Sequence, residues 1–218
     1  MRCMSHYLTG NETKARLLES AGEVFAEYGF RHAKVQDICH RAKANVAAIN
    51  YHFGGKEQLY QAVILHAIDA DETFLSSLAG TPGASPDVRL RQFITAFLMA
   101  TLSSENPAWH GKLLSHELSD PTPAIDLVIE HLVRPIHNTL FAIINELLGA
   151  DANPDDAEFL TVSVLGQCVI YHHAKEVVVR MNPELRFDAA SLDALAGRIT
   201  RFSLNAIRRY SANATDKE

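Results

Sequence analysis

Apolar residues recur at helical spacing along most of the chain. The first stripe predicts a helix over 11–29 that Gly29 ends; its members are Leu17, Leu18, Ala21, Val24, Phe25 and Tyr28. Similar stripes predict helices near 35–41, 46–52, from Lys56 onward, 87–104, 107–118, 122–147, 156–180 and 189–210. Because no stretch shows the alternation of a strand, the pattern predicts an all-α protein of about nine helices.

Proline and glycine residues mark where the predicted helices begin, end or bend. The segment 80–87, GTPGASPD, reads as a loop or linker. Asn153-Pro154 is a helix start, since asparagine caps the first turn and proline loses no hydrogen bond there. Pro135 lies inside a predicted helix, so we expect a kink that frees the carbonyl group of His131.

Residues 35–56 carry the most specific pattern. They predict a short helix, a turn at 42–44, a second short helix capped by Asn45, and an exit with aromatic and basic residues. The apolar side of the second helix is Val46, Ile49 and Phe53. This is the outline of a helix-turn-helix, whose second helix enters the major groove of DNA.

Composition narrows the class of protein. Hydrophobic residues make up 47% of the 218, enough for a packed core, and no apolar run approaches the roughly 18 residues of a membrane span. The N-terminus lacks the apolar stretch of a signal peptide. Cys3, Cys39 and Cys168 are odd in number and widely spaced. We therefore expect a cytoplasmic protein with reduced thiols.

Charge is unevenly distributed. The net charge is −6, but residues 1–60 hold eight Lys/Arg against six Asp/Glu, so the remainder carries −8. A mildly basic head on an acidic body fits a head that touches phosphate and a body that does not.

The head offers groups suited to DNA. Ala47 and Ala48 are small enough for close approach of the helix, the amides of Asn45 and Asn50 can pair with adenine, and Val46 can touch a thymine methyl group. Tyr51, His52 and Lys56 can bind phosphate oxygens. For Asn45, a plain helix cap is an equally good interpretation. The predicted DNA-binding set is Lys34, Val35, Gln36, Asn45, Val46, Ala47, Ala48, Asn50, Tyr51, His52 and Lys56.

These motifs resemble the TetR family of bacterial transcriptional regulators. The resemblance covers about 50 residues and rests on Tyr28-Gly29-Phe30, Asp37-Ile38-Cys39, Ala42-Lys43-Ala44-Asn45 and the run from Ile49 to Leu59, INYHFGGKEQL. The stretch HELSDPTPAIDLVIEHLVRPIH is weakly similar to a branch of the family with enterobacterial regulators of efflux and drug sensitivity.

Two positions depart from the family pattern. Lys43 stands at the turn glycine, where a positive φ would cost a lysine about 1 kcal/mol or more. Ala33-Lys34 replaces a Thr-Thr pair, which removes a hydroxyl cap and a hydroxyl contact to phosphate. Lys34 can supply the phosphate contact by its charge instead.

The resemblance implies a domain organisation. We expect a loose arm at 1–10, a DNA-binding head at 11–56, a ligand-binding and dimerisation body at 57–212, and a tail at 213–218. It also implies a homodimer through the helices at about 156–180 and 189–210, which would place two heads on a near-palindromic operator in double-stranded DNA. The helix that begins at Lys56 would join head to body.

The resemblance further implies a small-molecule effector that releases DNA, and the family's usual mode makes the protein a repressor. An aromatic cage for a largely apolar effector is one interpretation of the residues Phe93, Phe97, Trp109, His131, Phe141 and Tyr171; plain core packing is the alternative for each of them.

A different function class stays open. Cys168 and His172 are four residues apart on one helix, a spacing that can hold a metal ion. A helical-bundle metal-binding protein or enzyme would use these with residues such as His116, Glu117 and Glu176. The sequence shows neither the repeated Glu-x-x-His pairs of a di-iron bundle nor a nucleophile with its base, so we predict no enzyme activity, no cofactor and no metal.

Overall fold

The computed structural model describes residues 2–69, 72–102, 108–150 and 152–215. Within these ranges the chain is α-helical and contains no strand, as predicted. The helices are α1 Arg2–His32, α2 Val35–Ala42, α3 Val46–Phe53, α4 Lys56–Asp69, α5 Glu72–Leu78, α6 Pro86–Leu102, α7 Ala108–Ser119, α8 Ile125–Val128, α9 Arg134–Leu148, α10 Pro154–His173, α11 Lys175–Met181 and α12 Ala189–Thr215.

Two compact units emerge from the packing. The first unit comprises Met1–Asp71 with Asn106–Leu132 and holds α1–α4, α7 and α8. Its core is built from the predicted stripe of α1 together with one side of each other helix; fully or almost fully buried members are Leu17, Phe25, Ile38, Ile49, Leu59, Ile64, Leu113 and Val128. Tyr28 departs from the stripe, because it lies at its edge and stays 47% exposed.

The second unit comprises Glu72–Glu105 with Val133–Glu218. Apolar faces of α6, α9, α10 and α12 bury one another; the buried side chains include Phe93, Ile94, Leu98, Leu140, Ile143, Ile144, Leu160, Val164, Leu192 and Ile199. Ion pairs of Arg89 with Glu146 and of Arg208 with Asp87 lie at the surface of the same unit. Exposed pairs of this kind add little to stability, so the apolar faces hold the unit together.

Several helix boundaries differ from the prediction, and two of them have a local cause. α1 begins at Arg2, so the backbone of residues 2–10 is helical where a loose arm was expected. The reason is that these residues include no proline, and a single glycine, Gly10, weakens a helix without ending it. The predicted helix 156–180 is divided at Ala174 (φ −108°, ψ 26°) into α10 and α11. Apolar periodicity continues across Ala174, which is why the pattern did not reveal the break.

A wider helical turn directly precedes Pro135. The five residues Ile129–Val133 form a π-helical segment directly before α9, and Pro135 lies in the first turn of α9. A π turn lets the chain pass the missing proline amide without breaking the helical path.

One helical stretch, Ile125–Leu148, is long and apolar enough in composition to cross a membrane, with a mean hydropathy of 1.2 over its most apolar window. The sequence pattern had led us to expect no stretch as long and apolar as a membrane span. Ile136, Leu140, Ile143 and Ile144 on this stretch are buried, but only 22% of that window is buried inside the protein. The match to a membrane span rests on length and composition alone.

Two of the three cysteines are buried free thiols. Cys39 packs in the first core, as expected for a small apolar residue, and Cys168 is fully buried in the second unit. Burial raises the pKa of Cys39, and it raises the pKa of Cys168 to about 12. Both thiols are thus held protonated.

We expect alkaline destabilisation that depends on Cys168. Since the folded pKa is raised, the stabilisation is fully present below pH 9 and is lost as pH rises toward 12. Between pH 8 and pH 10 the free energy of unfolding should fall by about 1.4 kcal/mol through this group. Urea unfolding at both pH values measures the loss, and the loss should shrink by that amount in Cys168→Ala. An equal loss in both proteins would contradict the assignment.

Candidate nucleic-acid interface

α2 and α3 contact the core of the first unit through only a few side chains. α2 buries Ile38, Cys39 and Ala42, and α3 buries Ile49 alone, with Ala48 and Phe53 packed partly against the same core. Eight residues each are too short to be stable as isolated helices. Their position is thus set by this packing, which leaves most of α3 on the surface.

The turn between α2 and α3 is strained at one residue. Lys43 adopts a left-handed conformation (φ 50°, ψ 46°), the only non-glycine positive φ in the described part of the chain. The Ala44 amide donates to the carbonyl of Cys39 at 2.9 Å, so the turn closes α2 through a backbone hydrogen bond. The strain anticipated for a lysine here is therefore present, at about 1 kcal/mol.

The two helix starts differ in their caps. Lys34 occupies the N-cap of α2 in an extended conformation and provides no side-chain cap hydrogen bond, as the loss of the hydroxyl predicted. At α3, the Oδ1 atom of Asn45 accepts a hydrogen bond from the Ala48 amide at 2.9 Å. The capping interpretation of Asn45 is thus correct, and its oxygen is engaged before any DNA arrives.

The outward surface of α3 is a compact patch. Ala47, Asn50 and Tyr51 are exposed, and Tyr51 is 85% exposed. Val46 is 44% exposed, so it is partly buried on the apolar side of α3 and keeps an exposed surface, whereas Ile49 is buried in the core. Ala48 is half-buried against the core and cannot face a groove fully.

The exit from α3 brings rings and cations together. His52 is half-buried and meets the ring of Tyr51 edge-on at 5.0 Å. The Nζ atom of Lys56 lies 4.8 Å from the centre of the Phe30 ring, and burial lowers the pKa of Lys56. Lys56 is therefore held in place by the core edge, with part of its side chain still open to solvent.

Sequence reasoning missed Lys14. Its Nζ atom lies 5.9 Å from the centre of the Phe53 ring, which brings a cation of α1 to the C-terminal end of α3. The side chain of Lys14 is exposed, as are those of Lys34 and Gln36, whereas Val35 is half-buried. Only the packing of α1 against α3 reveals this neighbour, because the two positions are far apart in sequence.

Comparison with known proteins agrees with this geometry. The family of bacterial regulatory proteins named for tetR matches residues 17–63. The C-terminal domain of the HTH-type transcriptional dual regulator CecR matches residues 86–207, more than half of the chain. The chain belongs to the TetR family of transcriptional regulators, with a C-terminal domain of the CecR type.

One relative matches most of the regulator, and solved structures share its fold. The chain is 27% identical over 209 residues to the transcriptional dual regulator CecR of Shigella flexneri, covering 88% of this chain and 90% of that protein. A structure from Pseudomonas aeruginosa PAO1, described as a transcriptional regulator, shares the fold with a TM-score of 0.66 and 22% identity over 90% of this chain and 93% of that one. A structure of a tetR-family protein from Rhodococcus RHA1 shares the fold with a TM-score of 0.64 and 20% identity. The match covers 89% of this chain and 96% of that one.

The TetR family consists of regulators that bind operator DNA and act as dimers; they are not enzymes. The side chains proposed for the metal or enzyme alternative have structural partners instead. Glu117 is fully buried in the first unit, where it accepts hydrogen bonds from Tyr60 and Thr122. In the second unit, the Nδ1 atom of His172 is 2.9 Å from the carbonyl oxygen of Thr101, and Glu176 pairs with Arg180.

No group of three or more metal-binding side chains occurs within the described residues. The thiol of Cys168 is fully buried and protonated, so it offers no thiolate to a metal ion.

The six residues suggested for an effector cage fall into different units. Trp109 and His131 belong to the first unit; Phe93, Phe97, Phe141 and Tyr171 belong to the second. Trp109 is a core residue: its indole N–H donates to Glu19 at 2.7 Å and its ring covers Gly22. His131 is exposed. Core packing is therefore the better account of Trp109.

Within the second unit, Phe93 and Phe97 stack at 6.3 Å, and Phe141 stacks on His137 at 5.9 Å. His137 also contacts the carboxylate of Glu158 at 2.9 Å. Tyr171 is half-buried near the end of α10. These aromatic residues remain candidates for an effector site of the regulator.

α10 and α12 leave an apolar face in solvent. Phe159 is 57% exposed, Val162 56% and Phe202 66%, and the ring of Phe159 lies 6.2 Å from that of Tyr210. Leu192, Leu195, Ile199 and Ile207 are buried inside the unit, because the inner side of α12 packs on α6 and α9. The exposed apolar side chains therefore lie on the outer sides of α10 and α12.

Proposed function

We propose that this TetR-family protein binds a near-palindromic operator as a homodimer and is released from it by a small, largely apolar molecule. The observation that supports this most is the exposed patch of α3, Ala47, Asn50 and Tyr51, on a helix held to the core by Ile49. An exposed short second helix behind a tight turn is the arrangement that enters a major groove.

Different parts of the candidate set take different roles. Ala47, Asn50 and Val46 face outward from the first turns of α3 and are suited to base edges. Tyr51, His52, Lys56 and Lys34 are suited to phosphate, since a phenol, an imidazole and two ammonium groups can hold phosphate oxygens. Asn45 keeps its amide N–H groups available while its oxygen caps α3. The remaining residues of the set are expected to lie beside the wall of the major groove; they are Val35, Gln36 and Ala48.

The exposed faces of α10 and α12 support the homodimer. A two-fold interface uses the same patch on both protomers, so Phe159 and Phe202 of one protomer would meet their counterparts. Large aromatic residues in a contiguous exposed patch are what a self-association surface requires.

Effector binding would act through a shift between two states of the dimer. An apolar molecule bound more tightly by the state with wrongly spaced heads would release DNA, and only that difference in affinity can drive the release. We propose repression as the mode and the cytoplasm as the location. The relative from Shigella flexneri is named a dual regulator, so activation at some operators is a second mode to be tested.

The test is a salt titration of the purified protein on the duplex upstream of its own coding region, with a scrambled duplex as control. Selective binding that weakens steeply with salt supports the proposal, because phosphate contacts release counterions. Equal binding to both duplexes contradicts operator recognition at that site. Loss of the selective complex on adding apolar small molecules would then identify effectors.

Asn50→Ala is expected to relax the sequence preference of the regulator. If the exposed amide of Asn50 pairs with an adenine, its loss should cost about 1–3 kcal/mol on the wild-type operator and little on operators changed at that one base pair. Binding to single-base operator variants measures this. His52→Ala is the matched control: it should weaken binding to all variants equally. An unchanged preference in Asn50→Ala would remove Asn50 from the base-reading set.

A further inference from the structure

No interaction of the Lys43 side chain within the described residues compensates for the backbone strain at this position. Its side chain is exposed, makes no capping hydrogen bond, and has no carboxylate partner within the described residues. Packing at the turn comes from its neighbours: Ala42 is buried at 2% exposure and Ala44 packs partly on the core. A glycine would close the same turn without strain.

Charge distinguishes Lys43 from the basic residue beside it. Two positions earlier, Arg41 contacts Glu23 at 3.1 Å and Glu27 at 3.3 Å, so its charge is already compensated. Lys43 keeps an uncompensated ammonium group at the C-terminal end of α2, and exposed Lys34 stands at the other end. At both ends of α2, a lysine occupies a place where a small or hydroxyl residue would stabilise the helix better.

The position of the turn indicates what the charge can meet. In helix-turn-helix proteins the first helix crosses the DNA backbone while the start of the second reaches base edges. Lys43 lies between the two, three residues before α3 begins. A flexible four-carbon side chain from this turn is directed at the phosphates that border the groove.

We propose that Lys43 is a DNA-binding residue that holds a backbone phosphodiester at the edge of the groove entered by α3. Local strain in the turn is the cost of placing that charge. The proposal rests on the DNA-binding function above and adds a contact residue to it. It requires that stability and DNA affinity change in opposite directions when Lys43 is replaced.

The experiment compares three variants of the full-length protein at one protomer concentration. Lys43→Gly removes charge and strain, Lys43→Asn removes the charge with a residue that tolerates this conformation, and Lys43→Arg keeps both charge and strain. Lys175→Gln, at an exposed lysine of the second unit, controls for the change in net charge. The probe is a mixed-sequence duplex, because a phosphate contact does not depend on sequence.

We expect Lys43→Gly to melt about 2–4 °C above the wild type. Its affinity for the duplex should fall severalfold, and the slope of log affinity against log salt should shrink by about 0.9 per protomer, or about 1.8 per dimer. Lys43→Asn should show the same loss of slope. Lys43→Arg should keep the wild-type slope and affinity, and Lys175→Gln should leave both unchanged.

Each contrary result has one meaning. If the wild type binds the duplex and Lys43→Gly binds it with the same affinity and slope, Lys43 does not touch DNA and the inference is overturned. An equal loss in Lys175→Gln would attribute the effect to net charge, which also overturns it. If the wild type binds no duplex at low salt, the proposed function fails, and the inference fails with it.

Discussion

Phe202→Asp is expected to split the homodimer and to weaken operator binding at least about a hundredfold, since one head alone loses the effective concentration that the second provides. Phe202 is the most exposed large residue of the α12 face, and a carboxylate at the centre of a two-fold interface would face its own copy. The free protomer should stay folded, because the aspartate remains in solvent there.

Val88→Asp is the matched control for this prediction. Val88 is an exposed apolar residue of comparable kind, at 46%, but it lies in the first turn of α6, where an acidic residue is tolerated. Sedimentation and DNA titration at equal protein concentration should show a monomer with weak binding for Phe202→Asp only. A Phe202→Asp protein that remains dimeric and binds normally would move the interface to another surface.

Glu117→Ala is expected to destabilise the first unit by about 3–5 kcal/mol, because it opens a cavity and leaves buried donors unsatisfied at about 1–3 kcal/mol each. The carboxylate of Glu117 is fully buried. It accepts the hydroxyl of Tyr60 at 2.7 Å, the amide of Thr122 at 2.8 Å and the hydroxyl of Thr122 at 2.9 Å. Removing it leaves three donors of α4 and of the loop before α8 without their acceptor.

Tyr60→Phe should cost less, about 1–3 kcal/mol, because Thr122 continues to satisfy the carboxylate. Glu184→Ala, at an exposed glutamate, controls for loss of an acidic side chain and should change stability by less than about 0.5 kcal/mol. Urea unfolding measures all three. A Glu117→Ala protein as stable as the Glu184→Ala control would show that the network does not hold the unit together.

The Glu117 network also shows the limits of sequence reasoning. Helical periodicity and turn residues were enough to predict an all-α fold and the two short helices of the DNA-binding motif. The strained lysine at the turn was predicted from the resemblance to the TetR family, in which a glycine stands at that position. They could not show that α7 and α8 pack with the N-terminal helices, since nothing in a local pattern records a contact between Tyr60 and Glu117, 57 residues apart. The buried glutamate therefore looked like a candidate for metal chemistry.

The same limit applies near the candidate site. Val46 follows the apolar spacing of α3, but the pattern could not show that Ile49 is buried while Val46 stays 44% exposed. Trp109 has the composition of a ligand cage, but Glu19 and Gly22 of α1 explain its position. Lys14 reaches the end of α3 only because α1 packs beside it. Each case depends on tertiary contacts, which periodicity does not encode.

The central claim is that the exposed surface of α3 reads a specific DNA sequence as part of a dimer. The most direct measurement is selection of bound duplexes from a random-sequence pool by the purified wild-type protein, sequenced after several rounds, with Phe202→Asp selected in parallel. We predict a near-palindromic motif for the wild type, whose half-sites lie about one helical turn or a multiple of it apart, and no paired half-sites for Phe202→Asp. A wild-type pool that stays random would contradict the account.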